Sequence, residues 1–222
     1  MRCSISILYN LSMENKISHI KNWLGSGSIN IFGIQFSGKD TVGKRLADAI
    51  GAEFLSSGDI VRSARDNSKD SEIKRAAEVS ETGALTPMDE FLKLIVPYMY
   101  DKKIAGKALI LSSVGRWIGE EGPVLEGLKR GGHDTKAVLL LNVSEDEVWH
   151  RWREAQGDTR NIGRTDDMDE EKVARRISEF KDKTLPVIEV YRKMDILLEI
   201  NGQQDRDSVF SDVIDQLYNF AS

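Results

Sequence analysis

The sequence has little cysteine, no long apolar run and no excess of positive charge. Cys3 is the single cysteine among 222 residues. This excludes an internal disulfide and a cysteine-based zinc site, and it favours a reducing, cytoplasmic compartment. Apolar runs all fall short of the roughly 18 residues that a membrane span needs, so we expect no membrane partner. Lysine and arginine total 31 against 36 acidic residues, a net charge of −5, so we expect no general attraction for nucleic acid.

The residues that are present suffice for one globular domain, since 40% of them are hydrophobic and 30% are charged. No small-residue cleavage site follows the first twelve residues, which we expect to be a loosely ordered extension, with Met13 as an alternative start. Apolar spacing predicts a short amphipathic helix over residues 13–24, and a run of glycine and serine then ends it. We therefore predict an N-terminal extension and short helix over residues 1–28, and a main domain over residues 29–222.

Apolar runs and helical spacings alternate through the main domain. A helix is predicted over residues 41–50, three short helices over residues 59–99, and a polar, flexible insertion over residues 154–164. Strands that alternate with helices predict a parallel sheet covered on both faces, which is an α/β fold of three layers. The five predicted strands lie at residues 29–32, 53–56, 108–112, 137–143 and 196–200.

A glycine-rich loop, GIQFSGKDT at residues 33–41, lies between the first strand and the first helix of the main domain. Its glycines and Lys39 fit the spacing G-x-x-x-x-G-K, although Asp40 follows the lysine where Ser or Thr is usual. Backbone N–H groups of such a loop form an anion-binding nest at a helix N-terminus, and the lysine neutralises phosphate charge. The alternative is a glycine turn with a solvated lysine. The flanking strand and helix favour the phosphate-binding loop over this alternative.

This loop resembles the G-x-P-G-x-G-K-G-T loop of the adenylate kinase family, and the likeness continues through most of residues 29–220. The resemblance implies a P-loop α/β/α fold with a five-stranded parallel sheet. It also implies a nucleoside monophosphate kinase domain with an inserted helical monophosphate-binding lobe at about residues 57–101 and a short, zinc-free lid at about residues 154–166. The residues that it implies for ATP binding are Gly33, Ser37, Gly38, Lys39, Asp40, Thr41 and Arg151.

Three further segments resemble the family's monophosphate site. They are SSGDIVR at residues 56–62, GALTP at residues 83–87 and LSSVGR at residues 111–116. The family's pattern at the third segment is L-D-G-F-P-R, whose arginine grips the acceptor phosphate. The residues that the resemblance implies for monophosphate binding are Ser57, Gly58, Arg62, Leu85, Thr86, Ser113, Arg116 and Glu120.

Downstream, GRTDD at residues 163–167, followed by Arg176, Thr184, Pro186 and Tyr191, resembles G-R-x-D-D…R-L…T-x-P-x-I-x-x-Y. Phosphoryl transfer between two polyanions requires positive groups around the migrating charge, and guanidinium groups match phosphate oxygens. Each arginine taken singly is equally compatible with a surface salt bridge. The resemblance implies four catalytic residues, Lys39, Arg116, Arg164 and Arg176.

Several positions depart from the family's pattern, and the P-loop and the end of the third strand hold those that bear on phosphate and metal binding. Gln35 and Phe36 replace the loop's Pro and second Gly, and Asp40 replaces the Gly after the lysine. Ser112 and Ser113 replace the Asp and Gly at the end of the third strand, where the Asp usually helps to hold hydrated Mg²⁺. Because a carboxylate is a suitable magnesium ligand, Asp40 is the candidate that replaces it. The alternative is an Asp40 that points outward and only favours the helix N-terminus.

Glu120 lies where the family commonly has a glutamine that reads adenine. A carboxylate only accepts hydrogen bonds, so GMP is an alternative acceptor to AMP, and an exposed Glu120 without a role is a third possibility. We expect transfer of phosphate from ATP with Mg²⁺ to AMP, by a monomer whose partners are nucleotides. Two alternatives are a nucleotide-binding protein of this fold without turnover and a kinase for a different small metabolite.

Overall fold

The computed structural model describes residues 2–156 and 169–222 of the chain. Short 3₁₀ segments cover Ser80–Thr82 and Val96–Tyr100, and one π-helical segment covers Phe180–Thr184. The strands are β1 (Ser28–Gly33), β2 (Glu53–Ser56), β3 (Leu109–Ser112), β4 (Thr135–Asn142) and β5 (Leu197–Asn201). The helices are α1 (Arg2–Leu24), α2 (Lys39–Ile50), α3 (Ser57–Asn67), α4 (Ser71–Val79), α5 (Met88–Ile95), α6 (Glu121–Arg130), α7 (Glu145–Gln156), α8 (Glu170–Glu179), α9 (Leu185–Lys193) and α10 (Arg206–Ala221).

The five strands form one parallel sheet in the order β2-β3-β1-β4-β5, which confirms the predicted α/β fold. Ser112, the last residue of β3, is in register with Ile31 of β1 and with Ser56 of β2. The carboxyl ends of these three neighbouring strands therefore lie along one edge of the sheet. Ligands of open parallel sheets bind at this edge, in the crevice where the strand order reverses.

Alternation of apolar side chains along the strands produces the two covered faces. Ile29, Ile31 and Leu139 pack on one face with the apolar stripes of α2 and α10. Phe32 and Leu140 point to the opposite face and pack against α9, while β3 contributes residues to a neighbouring cluster with α3, α5 and α6. Helices on both faces give the predicted three layers.

Helix α1 is longer than the sequence predicted, because it begins at Arg2 rather than near Met13. The extension expected to be loosely ordered is therefore helical, which agrees with the absence of proline and glycine before Gly25. Ile20 and Leu24 are fully buried in the cluster that α2 and α10 form. Lys16 also pairs with Asp215 of α10 at 2.8 Å. The N-terminal helix thus shares the hydrophobic core of the main domain.

Helices α3, α4 and α5 lie between β2 and β3 in the chain and form the helical lobe that the sequence predicted. Their apolar faces meet the sheet through one cluster, in which Val61 and Phe91 pack with Leu111. Across the described ranges, every helix is too short or too polar to cross a membrane.

Candidate active site

The P-loop connects β1 to α2, and its geometry depends on two glycines. Gly38 has φ 87°, a left-handed conformation that L side chains rarely adopt, and its carbonyl accepts the N–H of Val42 in the first turn of α2. A Cβ on Gly33 would lie 2.4 Å from the hydroxyl oxygen of Ser37, so that a side chain would displace the loop. Backbone N–H groups of the loop consequently gather at the N-terminus of α2, an arrangement that can bind phosphate.

A cavity of about 1230 Å³ opens at the carboxyl edge of the sheet. It is lined by the P-loop, the first turns of α2 and α3, the end of β3, and parts of α7 and α8. Its volume exceeds the usual range of 300–1,000 Å³ for small-molecule sites and suits two nucleotides. The predicted site residues in its lining are Gly33, Ser37, Gly38, Lys39, Asp40, Thr41, Ser57, Gly58, Arg62, Leu85, Ser113, Arg116, Arg151 and Arg176.

Arg116 and Arg176 both line this cavity, although they come from the loop after β3 and from α8, and they are close enough for the charge of one to affect the other. Burial lowers the pKa of the Arg116 guanidinium; Glu120 opposes that shift, and the neighbouring charge of Arg176 adds to it. Arginine nevertheless stays charged in proteins. Two guanidinium groups of like charge that line one cavity favour the binding of an anion there.

The start of α3 supplies a second polar wall. Ser56 caps the helix by accepting the N–H of Asp59, and the buried Ser57 begins it. Arg62 lies one turn later and pairs with Asp59. A Cβ on Gly58 would lie 3.2 Å from a guanidinium nitrogen of Arg62, so glycine gives this side chain room. Ser57, Gly58 and Arg62 therefore face the cavity together, at a distance along the chain from the P-loop.

The sequence profile described as "Adenylate kinase" matches residues 31–196. The chain belongs to the adenylate kinase family. It is therefore an enzyme of the nucleoside monophosphate kinase class, as its sequence motifs predicted.

Curated relatives match most of the chain. The adenylate kinase of Bacteroides thetaiotaomicron is 30% identical over 193 residues, which cover 84% of this chain and 95% of that protein. The adenylate kinase of Thermosipho melanesiensis is 31% identical, over 80% of this chain and 93% of that protein. Human adenylate kinase isoenzyme 1 is 29% identical, over 92% of this chain and 98% of that protein. The family's pattern can thus be compared along nearly the whole main domain.

Phe36 replaces a P-loop glycine of the adenylate kinase pattern and keeps the glycine conformation, with φ 61°. Such a backbone costs an L residue on the order of 1–2 kcal/mol. Its side chain packs against an apolar cluster that contains Val148 of α7 and Val173 of α8. Trp149 and Trp152 pack against the same cluster, and their rings form an edge-to-face pair with centroids 5.6 Å apart. Packing on this cluster offsets the strain and attaches the loop to the two helices.

Arg151, which the sequence assigned to the adenine of ATP, contacts the same loop. Its guanidinium donates to the carbonyl oxygen of Phe36 at 3.2 Å and to that of Gly202 at 2.7 Å, while its Nε donates to Glu147 at 2.7 Å. The side chain lines the cavity and joins the P-loop to the loop after β5. Its contact with adenine remains a prediction.

Glu120 does not line the cavity, and it is not exposed either. The residue is 1% exposed, and its Oε2 accepts the backbone N–H groups of Arg116 at 2.6 Å and of Trp117 at 3.1 Å. Burial raises the pKa of this carboxyl, against the two hydrogen bonds and the charge of Arg116. The alternative of an exposed Glu120 is wrong, because the turn at Arg116 needs an acceptor for its N–H groups. Glu120 fixes the backbone that carries Arg116.

Of the remaining predicted residues, one lies off the cavity wall and one lies outside the described part of the chain. Thr86 is buried beside Leu85 but does not contribute to the lining. Arg164 lies outside the described residues, as does most of the predicted lid. In contrast, Glu179 and Phe180 line the cavity without having been singled out, as does Thr184, which the downstream motif had named without a role. Phe180 and Thr184 bound the π-helical segment, a form of helix frequent at functional sites.

Asp40 and Ser112, two departures from the adenylate kinase pattern, are in direct contact. The Ser112 hydroxyl donates to Oδ1 of Asp40 at 2.5 Å, across 72 positions of sequence. Asp40 is half-buried and Ser112 is 2% exposed. The alternative of an outward-pointing Asp40 is therefore wrong, since its carboxylate is held against the end of β3.

Proposed function

We propose that this adenylate kinase family member transfers the terminal phosphate of ATP to AMP, giving two molecules of ADP. The observation that carries the proposal is that the P-loop, the α3 wall, Arg116 and Arg176 line one cavity. A donor on the P-loop and an acceptor on Ser57 and Arg62 would bring their reacting phosphates to that pair of guanidinium groups. The names of the relatives support AMP as the acceptor.

The residues take distinct parts in this reaction. The P-loop N–H groups and Lys39 hold the outer phosphates of the donor, and Arg62 orients the acceptor's phosphate. Arg116 and Arg176 stabilise charge that spreads over the transferred group, the main contribution a protein makes to phosphoryl transfer. We further propose that residues 57–101 act as the monophosphate-binding lobe and that residues 154–166, with Arg164, act as a lid that excludes water.

Magnesium would accompany ATP and neutralise charge on its phosphates. No group of three potential His, Cys, Asp or Glu ligands occurs in residues 2–156 and 169–222. This fits Mg²⁺, which is usually bound by one or two carboxylates together with substrate phosphates and water. Asp40 and Thr41, in the first turn of α2, are the side chains that would hold it.

Turnover with ATP and Mg²⁺ is measured by a coupled assay that offers AMP, GMP, CMP or UMP in turn. We expect AMP to be the preferred acceptor. Tight ATP binding without turnover on any of the four would instead support a binding protein that has lost catalysis. The proposal further assigns the protein to the cytoplasm as a monomer, which gel filtration checks.

The Lys39→Met variant tests the P-loop assignment. Loss of a charge contact to the transition state costs roughly 10²- to 10³-fold in kcat, by analogy with removal of an oxyanion donor. Lys44→Met is the matched control, because Lys44 lies on the same helix but is exposed and does not line the cavity. Activity of Lys39→Met within about threefold of the control would contradict the assignment.

A further inference from the structure

The contact between Asp40 and Ser112 joins two elements at the donor end of the cavity. Ser112 ends β3 at the carboxyl edge of the sheet, where it is in register with β1, the strand that leads into the P-loop. Asp40 follows Lys39 in the first turn of α2 and lines the same cavity. The 2.5 Å hydrogen bond between them therefore aims the carboxylate along the sheet edge rather than into solvent.

A carboxylate at this position is unfavourable beside bound triphosphate unless a cation lies between them. Two like charges a few ångströms apart in a partly desolvated cavity repel each other strongly. In many P-loops the side chain directly after the lysine is a hydroxyl on Mg²⁺, so this position faces the metal. Carboxylate oxygen is an equally suitable ligand for this hard cation.

The nearest alternative role for Asp40 is to balance the charge of Arg116. That arginine experiences the negative charge of Asp40, although burial and Glu120 have larger effects on it. Arg116 is also close to Glu179, which supplies a second negative charge. Glu120 and Glu179 therefore also balance the charge of Arg116. Asp40 differs from them because a buried hydroxyl holds its carboxylate at the helix that follows the P-loop.

We propose that Asp40, held by Ser112, faces the Mg²⁺ of bound ATP, either directly or through one of its waters. The inference rests on the proposed function, because it takes ATP as the ligand of the P-loop. Ser112 acts as a positioning residue that keeps the carboxylate at the sheet edge. The metal site is thus made from the start of α2 and the end of β3 together.

The test measures metal affinity without turnover. Mn²⁺ is titrated, with electron paramagnetic resonance detection, into protein saturated with a non-hydrolysable ATP analogue. Asp40→Asn keeps the size of the side chain and an acceptor for Ser112 but removes the charge. We expect its Mn²⁺ dissociation constant to rise about tenfold or more, as is usual when a partner of a metal site is lost. Binding of the metal-free analogue should instead tighten, because the repulsion is gone.

Asp48→Asn is the matched control, because Asp48 is an exposed residue of the same helix and its loss changes the net charge equally. Equal Mn²⁺ affinity in Asp40→Asn and Asp48→Asn would overturn the proposal. It would also be overturned if Asp40→Asn lost as much affinity for the metal-free analogue as for Mn²⁺. The double variant Asp40→Gly/Ser112→Asp moves the carboxylate from α2 to the end of β3. Its Mn²⁺ affinity should return to within about threefold of the wild type, because the two side chains lie at the same place. A double variant that binds Mn²⁺ as weakly as Asp40→Gly would refute that shared position.

These outcomes are separable from failure of the proposed function. A wild-type protein that binds the analogue and Mn²⁺ but phosphorylates none of the four monophosphates would contradict the proposed function and leave the metal assignment intact. A wild type that is active on AMP, with an Asp40→Asn variant of unchanged Mn²⁺ affinity, would overturn the metal assignment alone.

Discussion

Replacement of Glu120 by alanine tests the role that the structure gives this buried carboxylate. The change leaves the N–H groups of Arg116 and Trp117 without their acceptor, and each buried unsatisfied donor costs about 1–3 kcal/mol. Removal of a charge whose burial is itself unfavourable recovers part of that cost. We therefore expect the free energy of unfolding to fall by about 2–4 kcal/mol.

Urea denaturation measures this loss, with Glu126→Ala as the control, since Glu126 pairs with Arg130 on the exposed surface of α6. A surface pair of this kind contributes only about 0–1 kcal/mol. The affinity for the acceptor should fall in Glu120→Ala, because the displaced turn carries Arg116. The preference for AMP over GMP should stay within about twofold, since Glu120 lies off the cavity wall. Equal stability of the two variants, or an inverted base preference, would refute the argument.

Three further changes have expected outcomes. Ser113→Gly should stabilise the protein by about 0.5–1 kcal/mol in the same denaturation assay, because Ser113 has φ 52° and glycine adopts that backbone without strain. Arg62→Ala should weaken monophosphate binding far more than ATP binding, whereas Arg176→Ala should mainly lower kcat; titration with each nucleotide, combined with kinetics, separates the two. In Glu120→Gln the pH dependence of stability should change. The pKa of Glu120 is raised in the folded state. The wild type therefore loses stability relative to the variant as pH rises from the unfolded-state pKa through the folded-state pKa. Denaturation at several pH values measures this loss.

Periodicity predicted β1 and β4 well because these central strands are buried on both faces over most of their length. The apolar run at residues 137–143 became β4 at Thr135–Asn142, and the run at residues 29–32 became β1 with one extra residue at each end. Helix α1 was underestimated because its first turns show no clear apolar stripe, while continuation of a helix needs only the absence of a breaker.

The site was predictable where one motif supplies one role, and less so where partners come from distant segments. Lys39, Arg62 and Arg116 could be placed at the cavity from their motifs. The role of Glu120 could not, because its partners are backbone N–H groups of a turn that depends on left-handed Gly115 and Gly119. Nor does spacing reveal that Arg151 contacts carbonyl groups 115 and 51 positions away.

Phe36 couples the P-loop to two tryptophans, whose fluorescence reports on the loop without an added label. The ring packs against the same apolar cluster as Trp149 and Trp152, two of the four tryptophans, and α7 ends at Gln156, within the first residues of the predicted lid. Indole emission depends on the polarity and motion of neighbouring groups. Nucleotide that shifts the loop relative to α7 will therefore alter tryptophan fluorescence. Loop movement can be timed in the unlabelled protein by stopped flow, with Phe36→Gly as the variant in which that signal is lost.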